Sequence, residues 1–202
     1  MKKFFPRGLM SALLLLISVH YAAAKPVDDS LIALGGIQPW HEFSEVVQVY
    51  GQPQHEKKLP HSSDDKIYGY GNWNGRDSYN LPYGFLVTET YRRGTMDKIE
   101  AIKEIFTCDP SIATPNGIRV GSTVEEVLAA YGANSQYERI VNNDPRYGVE
   151  PSTVFFYEGY WYRIGFGFDM NTNKITRIEV MRSQDFQYKL MAAQQQGKML
   201  PF

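Results

Sequence analysis

Two short segments of the chain carry apolar residues at the spacing of an amphipathic helix. In each segment the apolar positions are i, i+3, i+4 and i+7, which places four side chains on one stripe of a 3.6-residue helix. Helices of two to three turns do not persist alone in water, so each stripe is expected to pack against another element. The two stripes are Phe43, Val46, Val47 and Tyr50, and Val124, Val127, Leu128 and Tyr131.

The two helical segments belong to a longer internal repeat. Residues 36–51 align without a gap with residues 117–132, with six identical positions. Each copy ends in a glycine, at the position where a left-handed residue commonly terminates a helix. The sequence also predicts how the helices begin, with Ser122 and Glu125 as a capping box in the second copy and Pro39 at the start of the first helix.

Alternating apolar and polar residues follow each helical segment. From Tyr162 to Phe168 every second residue is apolar, and the residues between them include Arg163, Gly165 and Gly167. This period of two predicts strands with one apolar face. Both glycines lie on one face, which indicates a close-packed helix or a neighbouring backbone. The predicted strands are 66–71, 84–92 and 97–106 after the first helix, and 153–158, 162–170 and 174–182 after the second.

These elements predict an α+β fold of two tandem repeats, each a short helix packed on a three-stranded antiparallel β-meander, followed by a C-terminal helix. The sequence leaves open whether the two sheets join into one surface. The predicted divisions are 1–24 for a signal peptide, 25–110 for the first repeat, 111–182 for the second repeat, and 183–202 for the C-terminal helix and tail.

The first 24 residues have the pattern of a secretory signal peptide. Lys2, Lys3 and Arg7 form a positive start, residues 9–19 are apolar, and three alanines ending at Ala24 offer small residues for cleavage. The apolar stretch is shorter than the roughly 20 residues that a membrane-spanning helix needs. We therefore expect a periplasmic or secreted protein with no stable membrane anchor after cleavage; the alternative is an uncleaved anchor.

Charge and cysteine content narrow the possible functions. Removing the three basic residues of the predicted signal peptide from the 21 lysines and arginines leaves 18 against 22 acidic residues, a formal charge of −4. Such a surface gives no electrostatic reason to bind nucleic acid or anionic lipid. Cys108 is the one cysteine of the chain, so an internal disulfide is excluded and stability depends on burial.

The polar residues show no recognised catalytic or metal-binding arrangement. His55 and His61 flank a segment with acidic residues, but their spacing matches no zinc-ligand pattern, and Pro60 indicates an ordinary exposed loop. A single cysteine in an apolar stretch is typical of a buried residue. No serine elbow, zinc-protease motif or phosphate-binding glycine loop occurs. The sequence therefore assigns no catalytic residue, no metal and no cofactor.

The aromatic residues give the strongest indication of function. The chain has 14 tyrosines, 11 phenylalanines and 3 tryptophans. Several clusters place rings on both faces of one strand, so some rings are expected on an open sheet face or in loops, where Tyr and Trp suit recognition. The alternative is that strands simply favour these residues. The predicted partner-binding residues are Tyr68, Tyr70, Trp73, Tyr160, Trp161 and Tyr162.

The second helical segment, GIRVGSTVEEVLAAYG at residues 117–132, resembles the helical opening of a superfamily of exported bacterial proteins. That superfamily includes the small outer-membrane-assembly lipoproteins (SmpA/OmlA-like) and the tandem-repeat β-lactamase inhibitory proteins. The resemblance implies a short helix on one face of an antiparallel sheet and an opposite, concave face that holds a protein partner. This chain differs from the lipoproteins in having no cysteine near the predicted cleavage site.

Three functions are compatible with these features. The first is an exported, non-enzymatic binding module that recognises a protein partner, as an inhibitor or an envelope-assembly accessory, through an aromatic-rich sheet face. The second is a glycan or small-ligand binding protein of the cell envelope, in which Trp73 or Trp161 stacks on a sugar ring. The third is a hydrolase that uses His55 and His61 or Cys108, for which no nucleophile–base pair is visible.

Overall fold

The fold is seen in a computed structural model that describes residues 26–73, 81–92, 95–133, 136–140 and 152–197. The predicted signal peptide lies outside the described residues. A short 3-10 turn, Asp29–Leu31, comes first. The helices are α1 (Phe43–Tyr50), α2 (Val124–Tyr131) and α3 (Phe186–Gln195), and the strands are β1 (His55–Lys58), β2 (Asp65–Tyr70), β3 (Tyr83–Tyr91), β4 (Lys98–Thr107), β5 (Gln136–Ile140), β6 (Ser152–Glu158), β7 (Tyr162–Asp169) and β8 (Lys174–Arg182).

All strands of the described chain belong to one antiparallel sheet, in the order β1-β2-β3-β4-β8-β7-β6-β5. The strands β4 and β8 pair at its centre, with Glu104 opposite Met181 and Thr107 opposite Ile178. The predicted fold class of two tandem repeats, each with its own three-stranded meander, is therefore wrong. Four strands follow each of α1 and α2, and pairing β4 with β8 removes two exposed edges that separate sheets would have.

The strands at the two edges of the sheet, β1 and β5, are those that the sequence pattern missed. The four residues of β1, His-Glu-Lys-Lys, include no apolar residue, and this strand pairs with β2 alone. Edge strands tolerate such charge, because lysine on an edge disfavours pairing with another chain. Residues 55–58, which were expected in an exposed loop, therefore form a strand.

The helices α1 and α2 pack on the same side of the sheet. Phe43, Val46 and Val127 are buried, which confirms the two predicted apolar stripes at these positions. Tyr50 meets the ring of Tyr83 with 5.2 Å between centroids, and Tyr131 meets that of Phe166 at 5.3 Å. The side chains of both helices and of the strands beneath them form one hydrophobic core.

Tyrosine hydroxyls attach this core to the ends of the helices. Tyr70 donates to the carbonyl of Gly51 just after α1, and Tyr157 donates to the carbonyl of Gly132 just after α2 (2.8 and 2.7 Å). The last carbonyls of a helix have no partner within the helix. A buried tyrosine also needs a partner for its hydroxyl, so each bond satisfies two groups at once and holds a helix end over the sheet.

The start of each helix differs from the sequence-based expectation. Thr123, one residue after Ser122, caps α2: its hydroxyl accepts the N–H of Glu126 (3.2 Å), and the Glu126 carboxylate accepts the N–H of Thr123 (2.9 Å). The helix α1 begins at Phe43, so Pro39 lies before it and does not occupy its first position. The predicted capping box exists, but it is shifted by one residue.

The predicted C-terminal helix is present as α3. Phe186 and Ala193 are its buried residues, and the Phe186 ring stacks on Trp40 with centroids 5.7 Å apart. Within the described ranges, no helix combines the length and the apolar character that crossing a membrane requires.

On the side of the sheet opposite α1 and α2, two aromatic rings lie directly over glycines. Gly84 is opposite Phe106 across β3 and β4, and Gly165 is opposite Phe156 across β6 and β7. A Cβ atom at position 84 would lie 2.9 Å from Cδ2 of Phe106, and one at position 165 would lie 2.8 Å from Cδ1 of Phe156. Both distances are too short for two carbon atoms, so the close neighbour of Gly165 is an aromatic side chain and not the expected helix or backbone.

This packing predicts unequal effects for two substitutions within β7. Gly165→Ala should lower the free energy of unfolding by about 1–3 kcal/mol, because the added methyl group overpacks against the Phe156 ring. Gly167→Ala is the matched control, since its Cβ would meet nothing nearer than Arg177 Cβ at 3.6 Å. Its effect should stay within about 0.5 kcal/mol. Urea unfolding of the purified proteins measures both, and equal effects would contradict the packing.

The capping box predicts different effects for two substitutions of Thr123. Thr123→Ala removes the hydroxyl acceptor at the start of α2 and should destabilise the protein by about 1 kcal/mol. Thr123→Ser keeps the acceptor and should behave like the wild type. The same unfolding measurement tests both; a Ser variant as unstable as the Ala variant would show that the hydroxyl is not the relevant group.

Candidate functional site

Three of the six predicted partner-binding residues are part of the core. Tyr68 and Tyr70 lie on the face of β2 that α1 covers, and each is 8% exposed. The Tyr68 ring stacks on Phe43 with centroids 4.2 Å apart. Tyr162, the first residue of β7, is 4% exposed and packs in the same core. These tyrosines are buried beneath the helices and not on an open sheet face, contrary to the expectation.

Trp73 lies on the opposite side of the sheet, beside β1. The ammonium of Lys57 is 5.7 Å from the centre of its ring, and the ring of His55 meets it edge-on at 5.5 Å. Trp73 is partly exposed. Trp73 is thus a predicted partner-binding residue that lies on the side of the sheet opposite α1 and α2. The buried residues against which it packs are Ile67, Leu81 and Phe106.

Tyr160 and Trp161 occupy the turn between β6 and β7. Tyr160 is 47% exposed, whereas Trp161 meets Phe186 of α3 edge-on at 5.8 Å. The Asp29 carboxylate accepts the backbone N–H of Trp161 at 3.0 Å. Burial raises the pKa of Asp29, although the backbone donors of this turn act in the opposite direction. The turn is therefore held between the N-terminal segment and α3, and the structure does not gather the six predicted residues into one site.

A groove of about 820 Å³ lies beside α1, next to β1 and the first residues of β4. Arg92 donates two hydrogen bonds of 2.9 Å to the Glu42 carboxylate, and these bonds lower the pKa of Glu42. Glu100 accepts hydrogen bonds from Lys66 (2.6 Å) and Tyr68 (3.0 Å). The aromatic rings that line the groove, Phe43 and Tyr68, stack on each other. Both rings are also buried, so they offer a sugar little exposed ring surface on which to stack.

The side of the sheet opposite α1 and α2, called here the second face, carries an unusual set of central residues. Strand register and the alternation of side chains place residues of β4, β7 and β8 together there. The helices α1 and α2 pack on the other side of these strands. The central residues of the second face are Lys103, Glu104, Arg163, Arg177 and Met181.

Ion pairs organise most of the charge on the second face. Lys103 pairs with Asp65 of β2 at 2.9 Å, Arg177 with Glu179 at 2.8 Å, and Arg163 with Glu158 at 3.9 Å. These side chains are only 7–23% exposed. Low exposure reduces screening by solvent, so the Coulombic attraction within each pair exceeds that of an ordinary surface ion pair, at the cost of desolvating both charges. The guanidinium carbon of Arg163 also lies 4.4 Å from the centre of the Phe156 ring.

A β-bulge in β4 brings two consecutive polar residues near this face. Leu86 of β3 is opposite Glu104, and the next residue of β3, Val87, is opposite Ile102. Lys103 therefore has no opposite residue, which is the signature of a bulge. Because of the extra residue, Ile102 and Ile105 both remain fully buried in the core on the helix side. Two adjacent polar residues within an apolar run were the sequence signal for this arrangement, and it was missed.

Glu104 differs from the other charged residues of the second face. Among the described residues, none forms a hydrogen bond or a close ion pair with its carboxylate. Burial raises the pKa of Glu104, and the negative charge of Glu179 raises it further. The positive charges that act against this shift are those of Lys103 on its own strand, Arg182 on β8 and Arg163 on β7.

The residues considered for a hydrolase have structural contacts of their own. A ring nitrogen of His55 lies 2.7 Å from the Gly71 carbonyl, and His61 is exposed between β1 and β2. The Cys108 thiol donates to the Leu81 carbonyl at 3.3 Å, and burial raises its pKa, which disfavours the reactive thiolate. Across the described part of the chain, no three His, Cys, Asp or Glu residues are grouped as metal ligands would be.

No protein-family model and no curated protein matches this chain. Solved structures give distant likenesses. An extracellular protein containing an SCP domain from Bacillus anthracis matches with a TM-score of 0.47 and 11% identity over 83% of this chain and 48% of that chain. A DUF4309 family protein from Bacillus subtilis matches with a TM-score of 0.38 and 14% identity, covering 70% of this chain and 78% of that one.

A cysteine-rich secretory protein from Staphylococcus aureus matches with a TM-score of 0.41 and 11% identity over 74% of this chain and 44% of that one. This chain spans about half the length of both the Bacillus anthracis and the Staphylococcus aureus proteins. Likenesses at this level assign no function. None of the three is described as an SmpA/OmlA-like or β-lactamase-inhibitory protein, so that resemblance stays a prediction.

The environment of Glu104 predicts a pH-dependent effect of Glu104→Gln. A raised pKa in the folded state means that the folded protein binds this proton more tightly than the unfolded chain does. The contribution of the group to stability is therefore present at low pH and is lost as the pH rises through the folded-state pKa. Glutamine removes the charge, so the variant should gain stability over the wild type at pH 7 and little or none at pH 4.

Urea unfolding of both proteins at the two pH values measures this difference. Glu125→Gln, at an exposed position of α2, is the matched control and should show no such dependence. A gain of the same size for Glu104→Gln at pH 4 and pH 7 would show that the buried charge is not its cause.

Proposed function

We propose that this chain is an exported, non-enzymatic protein that binds a protein partner on its second face. The observation that carries the proposal is the composition of that face: shielded ion pairs and Met181 lie at its centre, and Trp73 lies at its side. Arginine, methionine and tryptophan are the residue types in which protein interfaces are enriched. Export is supported by the signal-peptide pattern of the first 24 residues.

The position of the helices supports the choice of face. The helices α1 and α2 and the tyrosines beneath them fill the first face, so a partner of the sheet is expected on the second. The resemblance to tandem-repeat inhibitory proteins leads to the same expectation. The partner is then bound either as the target of an inhibitor or as a component of envelope assembly.

The paired charges also suit recognition of a protein. Lys103 and Arg177 are already held by carboxylates on the sheet, so docking removes little further side-chain freedom. A rigid pattern of opposite charges selects a partner with the complementary pattern and rejects others. Sugar stacking has weaker support, because Lys57 and His55 already contact the ring of Trp73.

A pair of double variants tests the proposal. The chain from residue 25 onward is used to capture proteins from an envelope extract and from culture medium, and the captured protein is identified and purified. Trp73→Ala with Met181→Ala should weaken its binding at least tenfold. Met96→Ala with Met191→Ala, at exposed positions outside the strands of the sheet, should leave binding within about twofold of the wild type.

Circular dichroism and urea unfolding establish that both double variants are folded. The proposal is contradicted if the two double variants bind the partner equally well, or if no protein is captured above background.

A further inference from the structure

The second face has one central carboxylate, that of Glu104, which makes no direct hydrogen bond or ion pair with the described residues. Its other acidic residues each face a cation, in the pairs Lys103–Asp65, Arg163–Glu158 and Arg177–Glu179. Within the described residues, Glu104 has no comparable partner. Lys103, Arg163 and Arg182 act on Glu104 through their charge, but within the described residues none of them bonds directly to its carboxylate.

The immediate neighbours of Glu104 across the sheet are both apolar. Leu86 lies opposite it on β3, and Met181 lies opposite it on β8. Neither side chain can donate a hydrogen bond to a carboxylate. A carboxylate that is partly removed from water without a donor is unfavourable until a positive group reaches it.

We propose that Glu104 receives a lysine or arginine side chain of the protein partner, with the aliphatic stem of that side chain between Leu86 and Met181. This inference rests on the proposed function and specifies the chemistry of its partner. A basic side chain combines a positive head group with a long apolar stem. That combination matches a carboxylate flanked by two apolar side chains, in both charge and shape.

A free metal ion fits this position less well than a basic side chain. A divalent cation requires several oxygen, nitrogen or sulfur ligands. In the described part of the chain, no such group of ligands surrounds Glu104. One carboxylate between apolar walls is sufficient for one ammonium or guanidinium group, which brings its own hydrogen-bond donors.

Selection from a phage library of random dodecapeptides tests the inference without knowledge of the natural partner. The chain from residue 25 onward is the bait, and the selected peptides are sequenced and their affinities measured. The peptides should be enriched in Lys or Arg at one aligned position. Glu104→Gln should weaken their binding at least tenfold, whereas Glu125→Gln on α2 should leave it unchanged.

A second variant supplies the basic group from within the protein. Met181→Lys places an ammonium directly across from Glu104, so it should compete with the basic residue of each peptide and also weaken binding at least tenfold. Replacing the enriched basic residue of a peptide by norleucine should weaken binding to the wild type and have no further effect on the Glu104→Gln variant.

The possible outcomes separate this inference from the function on which it rests. Peptides that lose binding to the Trp73→Ala, Met181→Ala variant, but are not enriched in basic residues and bind Glu104→Gln normally, would overturn the inference and leave the proposed function intact. If the peptides bind the Trp73→Ala, Met181→Ala variant as tightly as they bind the wild type, that result contradicts both the inference and the proposed function. Folded Glu104→Gln protein is expected, because the substitution preserves shape and removes a buried charge.

Discussion

The pairing of β4 with β8 is the interaction on which the rest of the structure depends. Four residue pairs join residues 104–107 to residues 178–181 and turn two groups of strands into one sheet. The same pairing places Glu104 beside Met181 and Phe106 beside Glu179. Without it, the second face would be divided along its middle, and each half would expose the backbone groups of an unpaired strand.

The two sides of this sheet use aromatic and charged residues for different purposes. On the helix side, tyrosine hydroxyls such as those of Tyr70 and Tyr157 hold the ends of the helices. On the second face, Phe106 and Phe156 pack over glycines, and charged residues lie between them in the neighbouring strands. Much of the aromatic content of the chain therefore stabilises the fold, and the polar residues give the second face its character.

The sequence pattern predicted the local elements better than their assembly. The stripes around Val46 and Val127 locate α1 and α2, because helical periodicity is a property of neighbouring residues. The pairing of β4 with β8 was not predictable in this way, since it depends on residues about 75 positions apart. Period-two alternation separates the two faces of β2, but it does not reveal which face a helix covers. For this reason Tyr68 and Tyr70 were expected on the open side.

Other differences have equally local causes. Ser122 and Thr123 are both good capping residues, so sequence alone does not decide between them. The strand β1 has no apolar residue to mark it. The bulge at Lys103 interrupts the alternation of β4, so the sequence pattern does not show on which face Glu104 lies. That Glu104 lies between Leu86 and Met181 becomes apparent only when β3 and β8 are placed on either side of it.

The attachment of Asp29 to the β6–β7 turn has a consequence for the order in which the protein acquires its structure. The bond from Trp161 to Asp29 joins residues 132 positions apart. The earliest described part of the chain therefore reaches its final place only after most of the polypeptide is available. Closing so long a loop is entropically costly, so we expect the N-terminal segment to dock late in folding, with its anchor supplied by the opposite half of the molecule.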